Sequence, residues 1–149
     1  MKKLLFSIVG IILILSLLSS CGGEKIVDVV NTAETVLITG KEVNTVEAAM
    51  GAFQGKQGDY IEFRFSEEQT FNTVFINEKS TTVRQFNIFA EVDGSFKLIH
   101  TGKLILNENI PVEETTATAI KIQIVNTDIG NDNFVIQGIS AYNIEQKTN

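Results

Sequence analysis

Val83-Arg84-Gln85-Phe86-Asn87-Ile88-Phe89-Ala90-Glu91-Val92, continued by Asp93-Gly94-Ser95-Phe96-Lys97-Leu98-Ile99-His100, reads as two strands and the turn that joins them. Phe86, Ile88, Ala90 and Val92 alternate with Gln85, Asn87 and Glu91. That period of two sends one set of side chains to a buried face and the other to water. Asp-Gly suits a two-residue hairpin turn because both residues tolerate positive φ. Phe96, Leu98 and His100 return along the second strand. Upstream, Ile61, Phe63 and Phe65 alternate with Glu62 and Arg64, and Phe71, Val74 and Ile76 lead a further strand. Downstream, Ile120, Ile122 and Ile124 alternate with Lys121 and Gln123, and residues 134–142 close the domain. The apolar runs 26–30 and 35–39 are read as first strands. No stretch of twelve or more residues has helical periodicity; Asn44-Thr45-Val46-Glu47 has capping-box spacing and predicts one turn through Ala48-Ala49-Met50. The fold class expected is all-β, an antiparallel β-sandwich of the jelly-roll kind with one face of each sheet buried.

The amino terminus carries a different signal. Lys2-Lys3 precedes an apolar run from Leu4 to Leu18, and Leu18-Ser19-Ser20-Cys21 follows. A basic start, a short apolar core and small residues at a cut site make a secretory signal. The run is shorter than the ~20 apolar residues a spanning helix needs, although an uncut anchor helix is the alternative. The order Leu, two small residues, Cys resembles the lipobox of bacterial lipoproteins. That resemblance implies lipidation of Cys21 after removal of residues 1–20, a tether at 21–25 and a folded domain at 26–149. The expected location is the bacterial cell envelope, with the protein lipid-anchored at a membrane surface outside the cytoplasm, on the outer membrane or cell surface.

From Cys21 onward the chain has 129 residues with ten basic and 18 acidic side chains, a net charge of −8. One domain with a real core fits that length. Nucleic acid is not expected as a partner, since phosphate neutralisation needs clustered Lys and Arg. Cys21 is the only cysteine, so no disulfide and no cysteine nucleophile are expected. One histidine, no G-x-S-x-G elbow, no P-loop and no H-E-x-x-H leave no recognisable catalytic constellation. The chain is therefore read as a non-catalytic binding module.

Four segments occur in a telling order: Gly58-Asp59-Tyr60-Ile61-Glu62-Phe63-Arg64-Phe65, Gln69-Thr70-Phe71-Asn72-Thr73-Val74, the hairpin quoted above, and Ala119-Ile120-Lys121-Ile122-Gln123-Ile124 with Ile139-Ser140-Ala141-Tyr142. Together they resemble the discoidin family, or coagulation-factor type C (F5/8 type C) domains, of galactose-binding-like fold. They are especially similar to the appendage of bacterial α-L-fucosidases. The resemblance spans about residues 59–142. It implies an eight-stranded sandwich that binds sugars, lipids or proteins through loops at one end. Tyr60 and Phe96 stand where that family has tryptophans. Its calcium loop is not visible, because residues 48–57 hold no Asp. No cofactor or metal is expected, and a structural calcium lacks its motif.

If consecutive strands run antiparallel, loops at residues 51–59, 79–83, 101–103 and 126–133 share one end, and Asp93-Gly94 lies at the other. The shared end is rich in amides and carboxylates that suit hydroxyls: Asn126, Asp128, Asn131 and Asn133. Glu78 and Arg84 flank one of its loops, like the matching pair of the fucosidase appendage, and His100 leads into another. These seven residues are the ligand-binding candidates, with Phe53 or Tyr60 as the aromatic face a sugar favours. Plainer readings stand beside them. Asn/Asp/Gly loops are ordinary turn chemistry, Arg84 can pair with Glu78 or Glu91 across the sheet, and Phe53 can fill the core. The function expected is carbohydrate binding to a glycan or polysaccharide by a membrane-anchored lipoprotein. The alternative is a structural or protein-partner role in an envelope complex.

Overall fold

The computed structural model describes residues 26–43, 46, 53–131 and 133–145. The signal sequence, Cys21 and most of the expected capping-box turn lie outside the described residues. A 3-10 turn (Val29–Thr32) leads into β1 (Ala33–Ile38), β2 (Lys41–Val43), β3 (Gln54–Gly55), β4 (Tyr60–Glu78), β5 (Val83–Val92), β6 (Ser95–Gly102), β7 (Asn109–Thr127) and β8 (Phe134–Tyr142). Every pairing is antiparallel.

The two 19-residue strands organise the sandwich. The first half of β4 pairs with β1, with Phe63 opposite Val36. Its second half pairs with β8, with Val74 opposite Ala141. Strand β7 follows β4 along both halves, and the ladder breaks between Arg64 and Gln69. One layer is therefore β2-β1-β4-β7-β5-β6, and the other joins β3, β8 and the remaining halves of β4 and β7. The break falls at Ser66-Glu67-Glu68, three exposed residues that interrupt the apolar alternation. A bulge there bends the strand and passes it from one layer to the other.

The core between the layers is aliphatic and phenyl. Phe63, Phe71, Phe86 and Phe134 are sealed with Ile61, Ile76, Ile88, Ile120, Ile122, Ile124 and Ile136. Asp93 and Gly94 both have positive φ, 53° and 73°, and Val92 faces Ser95, so the hairpin is the predicted two-residue turn. Two sequence expectations are corrected. Residues 29–32 form a 3-10 turn rather than a strand, because the Asp28 carboxylate accepts from Val30 N–H and caps it. The strands expected around Phe63 and Val74 are two halves of one chain segment.

Candidate functional site

Strand ends define the site. Thr127 of β7 faces Val83 at the start of β5, and Gly102 at the end of β6 faces Phe86. Asp59, just before β4, accepts from the N–H of Ile124 at its carbonyl, and Gly58 N–H donates to Ile124 O. Lys79 N–H donates to Val135 O at the start of β8. The loops before β4, between β4 and β5, after β6 and between β7 and β8 thus gather at one end. The Asp93-Gly94 turn sits at the other, where Arg64 and Glu91 both face Ala119.

At the gathered end, Arg84 and Asp128 meet edge to edge. Arg84 Nε lies 2.5 Å from Asp128 Oδ1, and Nη2 lies 2.7 Å from Oδ2. This fork-on-fork geometry holds both planar groups in one orientation. Each side chain is still more than one-third exposed. Asp128 is placed by its own N–H, which donates to Thr82 O, and by the turn in which Asn131 N–H donates to Asp128 O. Gly130, at φ 84°, completes that turn. Ile129 stands fully exposed at its tip. Sequence reasoning passed over Ile129, because an isolated apolar residue in a polar loop carries no pattern.

Glu78 is at the same end but inside it. Only 5% of the residue is exposed. Its Oε1 accepts from the N–H groups of Thr82 and Val83, 2.8 and 3.1 Å away, and so closes the 79–82 turn on which Arg84 follows. Its Oε2 and the Thr127 hydroxyl are buried without a hydrogen-bond partner. Burial raises the Glu78 carboxyl above its ordinary value, against the lowering effect of the two N–H bonds and the Arg84 charge. Glu78 shapes the loop from beneath.

The other candidates are spread around this pair. His100 lies against the Phe86 ring, with centroids 6.0 Å apart, in a groove of about 190 Å³ also lined by Leu104 and Leu106. Asn126 accepts from Thr127 N–H through its side chain, and Asn131 and Asn133 are exposed on the loop. Phe53 is sealed in the core edge-on to Phe134. Tyr60 packs by the Lys121 ammonium, which also lies 3.9 Å from the Phe96 centroid. Phe53 therefore presents no ring at this end, while Tyr60 is partly exposed. Glu91 pairs with Arg64, not Arg84.

Asp59, beside the expected calcium loop, uses its carboxylate to accept Lys56 N–H. Among the described residues no group of three or more His, Cys, Asp or Glu is placed to hold an ion.

No protein-family model matches the sequence. No curated protein matches it either. Solved structures do match. An α-L-fucosidase from Bacteroides thetaiotaomicron superposes with a TM-score of 0.52 at 21% identity over 64% of this chain and 22% of that one. The chain thus spans about a fifth of that enzyme's length. A pectin-binding carbohydrate-binding module matches with a TM-score of 0.58 at 18% identity, covering 74% of this chain and 91% of the module. Chitosan-binding module 1 from a chitosanase/glucanase of a Paenibacillus species matches with a TM-score of 0.58 at 15% identity, covering 78% and 98%. The fold of this chain is the galactose-binding-like antiparallel β-sandwich that such modules and the fucosidase appendage share.

Proposed function

We propose that the protein is a non-catalytic carbohydrate-binding module, carried outside the cytoplasm on a lipid attached to Cys21. The observation that carries the sugar reading is the Arg84–Asp128 pair. It presents a guanidinium edge and a carboxylate in fixed register at the loop end, with Asn131 and Asn133 exposed beside it. Vicinal hydroxyls are recognised by such planar, paired donors and acceptors. The similarity in fold to pectin-binding and chitosan-binding modules supports the same reading. The lipid reading rests on the Leu18-Ser19-Ser20-Cys21 motif.

Residues 22–149 contain every described strand and the whole described core, so this segment is the material for a glycan and polysaccharide array, run with and without calcium. Binding to one sugar class, competed by the free sugar, is the expected result. Silence from a folded sample sinks the reading for ordinary sugars. One observation favours the second reading, a protein ligand at the same loops: Phe53 is buried, so it gives a sugar ring no platform. Array silence with a crosslinked envelope protein at residues 128–131 supports that alternative.

A further inference from the structure

An open cavity lies at the end away from these loops, among the described residues. Its volume is about 1240 Å³. That exceeds the roughly 300–1,000 Å³ typical of small-ligand sites and suits a length of polypeptide. Ile26 and Val27 border it, and they are 59% and 55% exposed. Val29, Val112 and Ile144 continue the apolar lining. Glu113, Glu114 and Glu145 stand among them, and no described residue of the lining is basic.

Hydrogen bonds fasten two of the segments that form the walls. Asn72 clamps Ile144 from both sides, donating to its carbonyl at 2.7 Å and accepting its N–H at 2.9 Å. Asp28 accepts from Ala141 N–H at 3.0 Å as well as from Val30 N–H. The segments before the first strand and after the last are thereby tied to β4 and β8. An acid-rimmed, apolar trough with fastened walls loses less order on binding.

We propose that this cavity docks a basic, amphipathic segment of a protein partner, with apolar side chains on Val112 and Ile144 and lysines or arginines at the three glutamates. Charge complementarity selects this occupant. The acidic rim repels an anionic lipid surface, and a second copy of this chain brings more negative charge to the contact. The proposal is independent of the sugar reading, because the two ends of the sandwich are separate.

Two short fluorescent peptides test it, one alternating leucine and lysine and one alternating leucine and glutamate, titrated against residues 22–149. The expected result is binding of the lysine peptide alone, weakened by salt, with methyl NMR shifts confined to Ile26, Val27, Val29, Val112 and Ile144. Glu113→Gln with Glu114→Gln is expected to weaken it about tenfold. Glu67→Gln with Glu68→Gln removes the same charge outside the lining and is expected to leave affinity within about twofold. Equal loss in both pairs, shifts spread over the surface, or no binding by a folded sample overturns the proposal. So does equal binding of the glutamate peptide. Self-association of the free protein that occludes the same methyls, or preferential binding to anionic vesicles, replaces it with a different occupant.

Discussion

Glu78 shows how one buried carboxylate can hold a loop and still weaken the fold. Its Oε1 accepts from the N–H of Val83 and from that of Thr82, which also donates to Ser80 O, and a buried N–H left without a partner costs about 1–3 kcal/mol. Its charge, however, is desolvated, and its pKa is raised. Between the ordinary carboxylate value and that raised value the native state holds more protons than the unfolded chain, so this group lowers stability as pH rises through the window. Glu78→Gln keeps an oxygen acceptor and removes the charge. It is expected to melt above the wild type at pH 7, and the difference should vanish once the pH falls below the carboxylate range. Thermal melts across pH check this, and a constant difference contradicts it. Arg84→Ala tests the neighbouring pair. The pair is half-exposed and worth about 0–1 kcal/mol to folding, so the melting temperature should barely move while array binding is lost. Glu78 and Arg84 were legible from their places at strand ends. Their roles were not, because the Arg84 partner lies 44 residues away and is chosen by the β5–β7 register.

At the scale of elements, strand parity was readable and strand continuity was not. Alternation marked Phe63 and Val74 as strand residues, but Ser66-Glu67-Glu68 between them looks the same in sequence whether the chain turns or bulges. The cross-strand partners decide it: Arg64 faces Ala119 and Gln69 faces Ala117, so the ladder resumes on the same neighbour. The bend sends the second half of β4 back toward the loops, and this is why Glu78 and Arg84 share an end as parity predicts. Strand β6 shows a tighter constraint. A Cβ on Gly102 would land on the Phe86 ring, which also carries His100. Gly102→Ala is expected to destabilise the domain by about 1–3 kcal/mol through overpacking, read as a lower urea midpoint. An unchanged midpoint would mean that the β6 end relaxes freely.

For the whole molecule, the strand directions fix what faces where. Thr70 of β4 faces Thr116 of β7 at one end, and Glu78 reaches Thr82 and Val83 at the other. Eight residues at about 3.3 Å each separate the ends by roughly 26 Å. Asp28 bonds to Ala141, so the chain enters at the end that holds the acidic cavity. Cys21 lies five residues before Ile26, a reach of at most about 18 Å. A lipid on Cys21 therefore leaves the Arg84–Asp128 end facing outward and the cavity near the membrane, where a membrane-proximal basic segment can meet it. Cys21 is the only native cysteine, so once it carries a lipid one introduced cysteine reports its own surroundings. With the chain lipidated at Cys21 and reconstituted on vesicles, as the proposed anchoring requires, Asn131→Cys should react with a bulky maleimide as fast as in soluble residues 22–149. Glu114→Cys should slow several-fold on anchoring. Equal slowing at both sites would show the domain lying on its side, and equal speed would show a tether loose enough to erase the orientation.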